Sequence, residues 1–421
     1  MRGPEVLREP GFARLWLASL CSELAEWMLQ AALPVLAYQL TGSATSTAAI
    51  MVLGLLPAVV LSPLAGVLAD RWDRQVLLRV VCAGQGLAAV PLAVGGADLT
   101  VVYLVMAAQA GLAAAFEPVR GALIPELVDA RLVTAANGLM GFNGSVARLA
   151  GASGGGLLLG FGGMGWLVGG YLAALLVAGL LLIPRFTAGT ARPEPSGRRS
   201  MLRDWLAGVG MIRRARVLRL TGVALALMSL AQGMFLVLFV LFVLHSLSGG
   251  PAEVGVLRGV QAVGGLVAGI AVATLVRRVA PAALLGWATL ALGLMSLLIW
   301  NGPALTTAFG LYLGLFAVAG APAVAATSGL LAVVQTAVPS TLTGRVLSAA
   351  FAGMAGCTAV GMWAAGALAG RLPLTGLLDV QACLQIVAGL LVLWLVVWRN
   401  GGRDRRDGSY GGRRATPVRH Q

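Results

Sequence analysis

Runs of eighteen or more predominantly apolar residues recur along this chain, and short polar hinges are all that separates most of them. Each run is long enough to cross a ~30 Å hydrocarbon core as a helix. Lipid offers no partner to a backbone N–H or C=O, so a spanning run of this kind must bond within itself, as a helix does. The predicted spans are about 11–38, 45–69, 76–96, 99–124, 133–160 and 163–184, then about 218–244, 253–276, 281–300, 303–325, 343–370 and 375–398. Between the two sets lies a polar, Arg-rich stretch with Pro193, Pro195, Ser196, Gly197, Arg198 and Arg199, which reads as a linker. The expectation is an all-α membrane protein of twelve transmembrane helices. It has a six-helix bundle in residues 1–184, a linker at 185–216, a second bundle at 217–398 and a disordered Gly- and Arg-rich tail at 399–421.

The placement of charge gives the orientation. Only 11% of residues are charged and 58% are hydrophobic, while 58 glycines suit helices that approach one another closely in lipid. Arg71, Arg74, Arg79, Arg120, Arg131, the linker arginines, Arg277, Arg278, Arg345 and the tail arginines all fall on one side. The hinges near Gly42, Gly96, Gly162 and Asn301 carry none, with Arg258 and Arg371 lying near that side. Short loops rich in Arg stay in the cytoplasm, which puts both termini and the linker there and the protein in a bacterial inner membrane. The same placement attributes the net charge of +14 to the lipid bilayer, with no nucleic acid as partner. Lysine is absent, so no phosphate-binding Gly-x-x-x-x-Gly-Lys loop exists and an ATP-driven pump is not expected. Cys21, Cys82, Cys357 and Cys383 lie inside apolar runs without metal-ligand spacing. No cofactor, metal or catalytic constellation is expected, the chain does not read as an enzyme, and a monomer is the expected state.

Residues 66–75, Gly-Val-Leu-Ala-Asp-Arg-Trp-Asp-Arg-Gln, make the hinge between the second and third spans. They resemble the corresponding loop of the major facilitator superfamily of secondary transporters, Gly-x-x-x-Asp-Arg-x-Gly-Arg-Arg/Lys. Gly66, Asp70, Arg71 and Arg74 match, and Asp73 and Gln75 depart. A weak repeat at an offset of about 207 places Tyr38-Gln-Leu-Thr on His245-Ser-Leu-Ser and Asp70-Arg71 on Arg277-Arg278. Two parallel halves with substrate between them near the midplane are what that superfamily has. Residues 147–156, Ala-Arg-Leu-Ala-Gly-Ala-Ser-Gly-Gly-Gly, resemble its antiporter motif at Gly151, Gly155 and Gly156, with Ala152 where the motif has Pro. Phe12-Ala-Arg-Leu-Trp and the stretch from Phe116 to Val128 are similar to the drug:proton antiporter branch, which includes macrolide and siderophore exporters and a lysophospholipid transporter. The resemblance implies proton-coupled export of a hydrophobic or amphiphilic small molecule, drug-like or siderophore-like. Uptake or lysophospholipid translocation is a second reading, and a non-transporting membrane sensor a third.

Charge within a span marks function by default. Glu23, Glu26 and Gln30 share one helical face roughly 20 Å into the first span. Desolvation at that depth disfavours a charged carboxylate, so Glu26, with Glu23 beside it, is the expected proton-coupling group. Arg148 is the expected charge-pair partner. Glu117, Arg120 and Glu126 near the end of the fourth span are expected to join Gly66, Asp70, Arg71 and Arg74 in a cytoplasmic gate. The polar and aromatic residues expected around a substrate cavity, beside the two glutamates, are Gln30, Met140, Asn143, Gln232, Phe235, Gln261, Thr327 and Trp363. A cavity with so few charges suits a lipophilic substrate, cationic ones included.

Overall fold

The computed structural model describes residues 3–94, 98–184, 186, 216–274, 280–337 and 340–410. Side chains at 3–4, 62–71, 94, 130, 216–221, 270–274, 334–349 and 396–410 lie outside that description, as does most of the expected linker. Among the described residues the secondary structure is helical and contains no strand. After a short helical turn at Gly3–Val6, the helices are α1 (Pro10–Thr41), α2 (Ala44–Arg71), α3 (Arg74–Val94) and α4 (Leu99–Leu127). A continuous helical stretch, Val133–Leu181, is broken at Gly163, whose φ of 70° and ψ of −167° no other residue type adopts readily. Its two limbs are α5 (133–162) and α6 (164–181). The second half has α7 (Arg216–Leu241), α8 (Pro251–Thr274), α9 (Pro281–Asn301), α10 (Phe309–Ala337), α11 (Ser340–Leu368) and α12 (Leu374–Tyr410). Nine stretches among the described residues are long and apolar enough to cross a membrane, and Val133–Leu181 is one of them.

Local chemistry sets the helix ends. Gly42 closes α1 in the left-handed conformation, φ 63°, and its N–H donates to the Tyr38 carbonyl. Asp73 accepts from the Val76 N–H at 3.0 Å and so caps the start of α3. The Gln75 amide donates to the Leu182 and Pro184 carbonyls, both at 2.6 Å, and its oxygen accepts from the Phe186 N–H. Both departures from the hinge motif therefore do structural work: one caps a helix, the other satisfies the end of α6. Two expectations shift. The tenth span begins at Phe309 rather than 303 because Gly302–Ala304 forms a separate 3-10 turn, and it runs on to Ala337. The backbone of α12 stays helical to Tyr410, where a disordered tail is expected from 399; extending an existing helix fixes one residue per hydrogen bond gained.

The helices pack in a pattern that repeats. In the first half α1 lies on α5, α2 on α4 and α3 on α6; in the second, α7 lies on α11, α8 on α10 and α9 on α12. Glycine permits these approaches: a Cβ at Gly155 would lie 2.7 Å from Met28 Cα, and one at Gly293 2.9 Å from Ile386 N. One apolar core draws its buried side chains from residues 6–182, and a second draws mainly on 234–382 with Val35 and Ala48. The halves meet along α5 with α8 and α2 with α11. They are sealed at one end, that of Gly42 and Ser248. There Tyr38 Oη lies 3.0 Å from His245 Nε2, Thr45 donates to the Gly366 carbonyl at 3.1 Å, and Gly156 sits against Gly255. A π-helical turn, Phe242–Ser246, ends α7 and carries His245 into that seal. The Nδ1 of His245 faces the Leu241 carbonyl at 3.0 Å and must donate to it, so in the neutral ring Nε2 accepts from Tyr38.

Candidate functional site

Beneath the seal, between the halves, lies a cavity of about 220 Å³. Trp27 and Gln30 of α1, Met51 of α2, Met106 of α4, Phe239 of α7 and Arg258 of α8 are on its wall. The wall is apolar with few polar groups, the usual make-up of a small-molecule site. A second, smaller chamber of about 30 Å³ adjoins it, sharing Gln30, Gly54 and Met106. That volume is enough to hold ordered water, which needs about 10–15 Å³ of such space. Its polar lining is Glu26, Gln30, Gln85, Gln109 and Tyr171.

Most of the small chamber's polar groups are bonded to one another or to backbone. Gln30 Nε2 donates to Glu26 Oε1 at 2.8 Å, one turn along α1. Tyr171 donates to Gln109 Oε1 at 2.7 Å, and Gln109 Nε2 donates to the Gln85 carbonyl at 2.7 Å. Gln85 Oε1 is buried and has no donor. A buried acceptor left open in this way calls for a water or a protonated group beside it. Among the described residues Glu26 makes no ion pair.

Glu23 has a different fate. Arg120 reaches across from α4 and pairs with it, and Arg120 Nη2 also lies 2.6 Å from Glu117. The expectation that Arg148 pairs with one of the α1 glutamates is corrected by this arrangement. Gly151 and Gly155 draw α5 against Leu24 and Met28 of α1, and Glu23 then sits opposite Gly144, a full turn from Arg148. Arg148 lies instead over the Trp27 ring, 5.9 Å from its centroid. The expected gate also divides. Arg74 pairs with Glu126 and donates to the Ala122 carbonyl at 3.3 Å, while Arg120 and Glu117 belong with Glu23. The side chains of Gly66, Asp70 and Arg71 lie outside the described residues.

Of the residues expected on the main cavity wall, the structure puts Gln30 there, and Phe235 just behind it, its ring 5.6 Å from that of Phe239. Asn143 is buried and donates to the Trp16 carbonyl, which turns it and Met140 toward α1 and away from the cavity. Thr327 donates back to the Ala323 carbonyl in its own helix, and Trp363 is 66% exposed. Gln232 and Gln261 do not line the cavity either. Trp27, Met51, Met106, Gln85, Gln109 and Tyr171 are not among the cavity residues expected from the sequence, and Arg258, expected near the Arg-poor side, stands on the cavity wall. A charge eight residues into an apolar helix was a signal that could have found Arg258.

A family model described as a transmembrane secretion effector, MFS_3, matches residues 4–406. The chain is 27% identical over 414 residues to YfiS, an uncharacterized MFS-type transporter of Bacillus subtilis (strain 168), covering 93% of this chain and 95% of that protein. Among solved structures it is similar to a bacterial homologue of the iron transporter ferroportin in the inward-facing state. The TM-score there is 0.70 at 16% identity, over 92% of this chain and 98% of that one. It is also similar to a mutant form of the nucleoside transporter NupG, with a TM-score of 0.74 at 12% identity, over 91% and 99% of the two chains.

Proposed function

From the premise that the chain belongs to the transmembrane secretion effector family of major facilitator transporters, we propose that this multi-pass membrane transporter exports a hydrophobic or amphiphilic small molecule by proton antiport. In this reading twelve spans form two six-helix bundles, residues 1–184 and 217–398, that rock about the cavity as a monomer in the inner membrane. The end bearing Arg74 and Glu126 faces the cytoplasm, as the Arg distribution favours. The sealed end then faces outward, and the structure is an inward-facing state. When the halves rock the other way, Arg74 and Glu126 belong to the closing cytoplasmic gate, with Asp70 and Arg71 as their proposed companions.

The observation that carries the proton assignment is the contrast between the two glutamates of α1. Glu23 is neutralised by Arg120, whereas among the described residues Glu26 is bonded to the neutral amide of Gln30 and lines a polar chamber that adjoins the main cavity. A carboxyl so placed can gain and lose a proton without breaking an ion pair. In proteoliposomes Glu26→Gln should abolish uphill export driven by a proton gradient while downhill exchange of substrate persists. Uphill export that survives in Glu26→Gln and is lost in Glu23→Gln would transfer the role to Glu23. Survival in the double variant would remove protons from this site.

A further inference from the structure

Arg258 stands on the α8 wall of the main cavity, and among the described residues no acidic group pairs with it. Its guanidinium lies 5.5 Å from the Phe235 ring centroid and 6.0 Å from that of Phe239. Among the described residues it has neither an ion pair nor a hydrogen bond. Arg148 reaches the same strip of α8 from the other half. Its Nη2 lies 3.4 Å from where a Cβ on Gly265 would be, and its Nε is buried with no partner. Gly265 follows Arg258 by seven residues, two turns along one helix face. Two cationic groups, one from each half, thus approach the same face of α8.

The nearby carboxylates do not compensate. Glu23 and Glu117 are taken by Arg120, and Glu26 is held by Gln30 and faces the small chamber. Stacking on aromatic rings offsets only part of what a guanidinium loses when it leaves water. A stacked guanidinium still presents the donors of its edge, a planar fork that matches a carboxylate or phosphate. The apolar remainder of the cavity, with Met51, Leu55 and Met106, has no donors and suits a hydrocarbon body.

We propose that the substrate itself supplies the missing partner: an amphiphilic organic anion, its carboxylate or phosphate held by Arg258 with Arg148 behind it, its apolar body lying between the halves. This deepens the transport reading above and rests on it, since it takes the cavity as the site of transport. It reverses the expectation, drawn from the sequence, that cationic molecules suit the cavity. The anion can enter from the bilayer as a lipid-like acid or from water as a soluble one, and the chemistry at Arg258 is the same.

The test is equilibrium binding to the purified full chain in nanodiscs, corrected against empty discs, with 11-(dansylamino)undecanoate and its neutral carboxamide as the probes. The carboxylate should bind about tenfold or more tightly than the carboxamide, the range of a charge-assisted hydrogen bond. Arg258→Gln should erase that preference, and Arg258→Lys, which keeps the charge but not the fork, should retain part of it and shows that the position tolerates change. Displacement of the probe by lysophosphatidate assigns a lipid source, and displacement by 2-naphthoate a soluble one; failure of both overturns the proposal. Equal binding of acid and amide, tighter binding of a dansyl alkylamine, or an unchanged preference in a folded Arg258→Gln protein overturns it too. The measurement needs no gradient, so loss of proton coupling cannot imitate its failure. An intact acid preference in a chain that moves nothing under any gradient would sink the transport reading and leave the anion site standing.

Discussion

Gly255→Ala should move the protein out of the conformation that is sealed at the end of Gly42 and Ser248. In the sealed conformation a Cβ on Gly255 would lie 2.7 Å from Gly156 Cα and 3.0 Å from Gly156 N, and closer still to the Ala152 carbonyl. All three obstacles are backbone, so no flexible side chain can swing aside. Overpacking of this kind costs about 1–3 kcal/mol. The cost belongs to the sealed conformer, since separating α5 from α8 at this end removes all three of these contacts. An energy of that size corresponds to a shift of roughly 5- to 150-fold in the conformational equilibrium. Gly320→Ala is the control. Its Cβ would lie 2.9 Å from Gly265 N, yet α8 and α10 both belong to the second half, so the clash persists whichever way the halves rock. Spin labels at Ser43 and Leu372, on the sealed end, report the separation by pulsed dipolar spectroscopy. Gly255→Ala should enlarge the long-distance population, and Gly320→Ala should lower thermal stability and leave the distances alone. Identical distance distributions for Gly255→Ala and the parent, or an equal shift in both variants, would refute the α5–α8 contact as the element that holds this end shut.

Three further outcomes follow from the same geometry. Tyr38→Phe removes the hydrogen bond to His245, worth about 1 kcal/mol, and the same pair of labels should show a roughly fivefold shift toward separation. Arg120→Met leaves Glu23 buried without its cation and should cost about 3–5 kcal/mol of stability, most of it regained when Glu23→Gln is added; a double variant no more stable than the single one would contradict the pairing. With Cys21, Cys82, Cys357 and Cys383 removed, Ser43→Cys and Thr306→Cys should react with an impermeant thiol reagent outside sealed cells, and Asp73→Cys should not. Gln75 is unsuited to that experiment because its side chain is buried in the α6 cap.

The spans were legible because length and apolarity are properties of a segment alone, and lipid permits such a segment few shapes. Glu23 and Glu26 were legible for the same reason, as charges in a run that should have none. Their partners were not. Whether Glu23 meets Arg120 or Arg148 depends on how far α5 slides and turns on α1, and that is decided by Gly151 and Gly155 at the contact. Arg148 lies on the contact-forming helix itself and looked the natural partner, yet it misses by one turn. Arg258 was legible as a charge and misplaced in depth: it follows Pro251 by seven residues, about 10 Å of helix, which carries it past the seal and onto the cavity wall. The cavity residues were the hardest to read, since polar side chains in a span face a helix neighbour as readily as a cavity; Asn143, which bonds to Trp16, is the example.

The repeat builds the frame, and its exceptions carry the chemistry. The separation of 207 residues between Tyr38 and His245, which touch at the seal, is the offset at which the two halves superimpose in sequence. At that offset Arg258 falls on Met51, and both are on the cavity wall; one copy of the position is a charge and the other a flexible apolar side chain. Glu26 falls on Gly233. A glutamate could not occupy that second position, for a Cβ there would lie 2.9 Å from Met362 N and nearer still to the Thr358 carbonyl of α11. The tight α7–α11 contact therefore confines the carboxyl to the first half, while the arginine of the cavity wall stands on the second. If Glu26 takes the proton and Arg258 the anion, the two sites ride on different bodies, and each rocking step changes the distance between them. Coulomb's law then gives a sign: an ionised Glu26 opposes the anion and its protonation favours it, so proton and anion would travel together, and the direction of proton movement measured with an anionic substrate decides between the antiport and uptake readings.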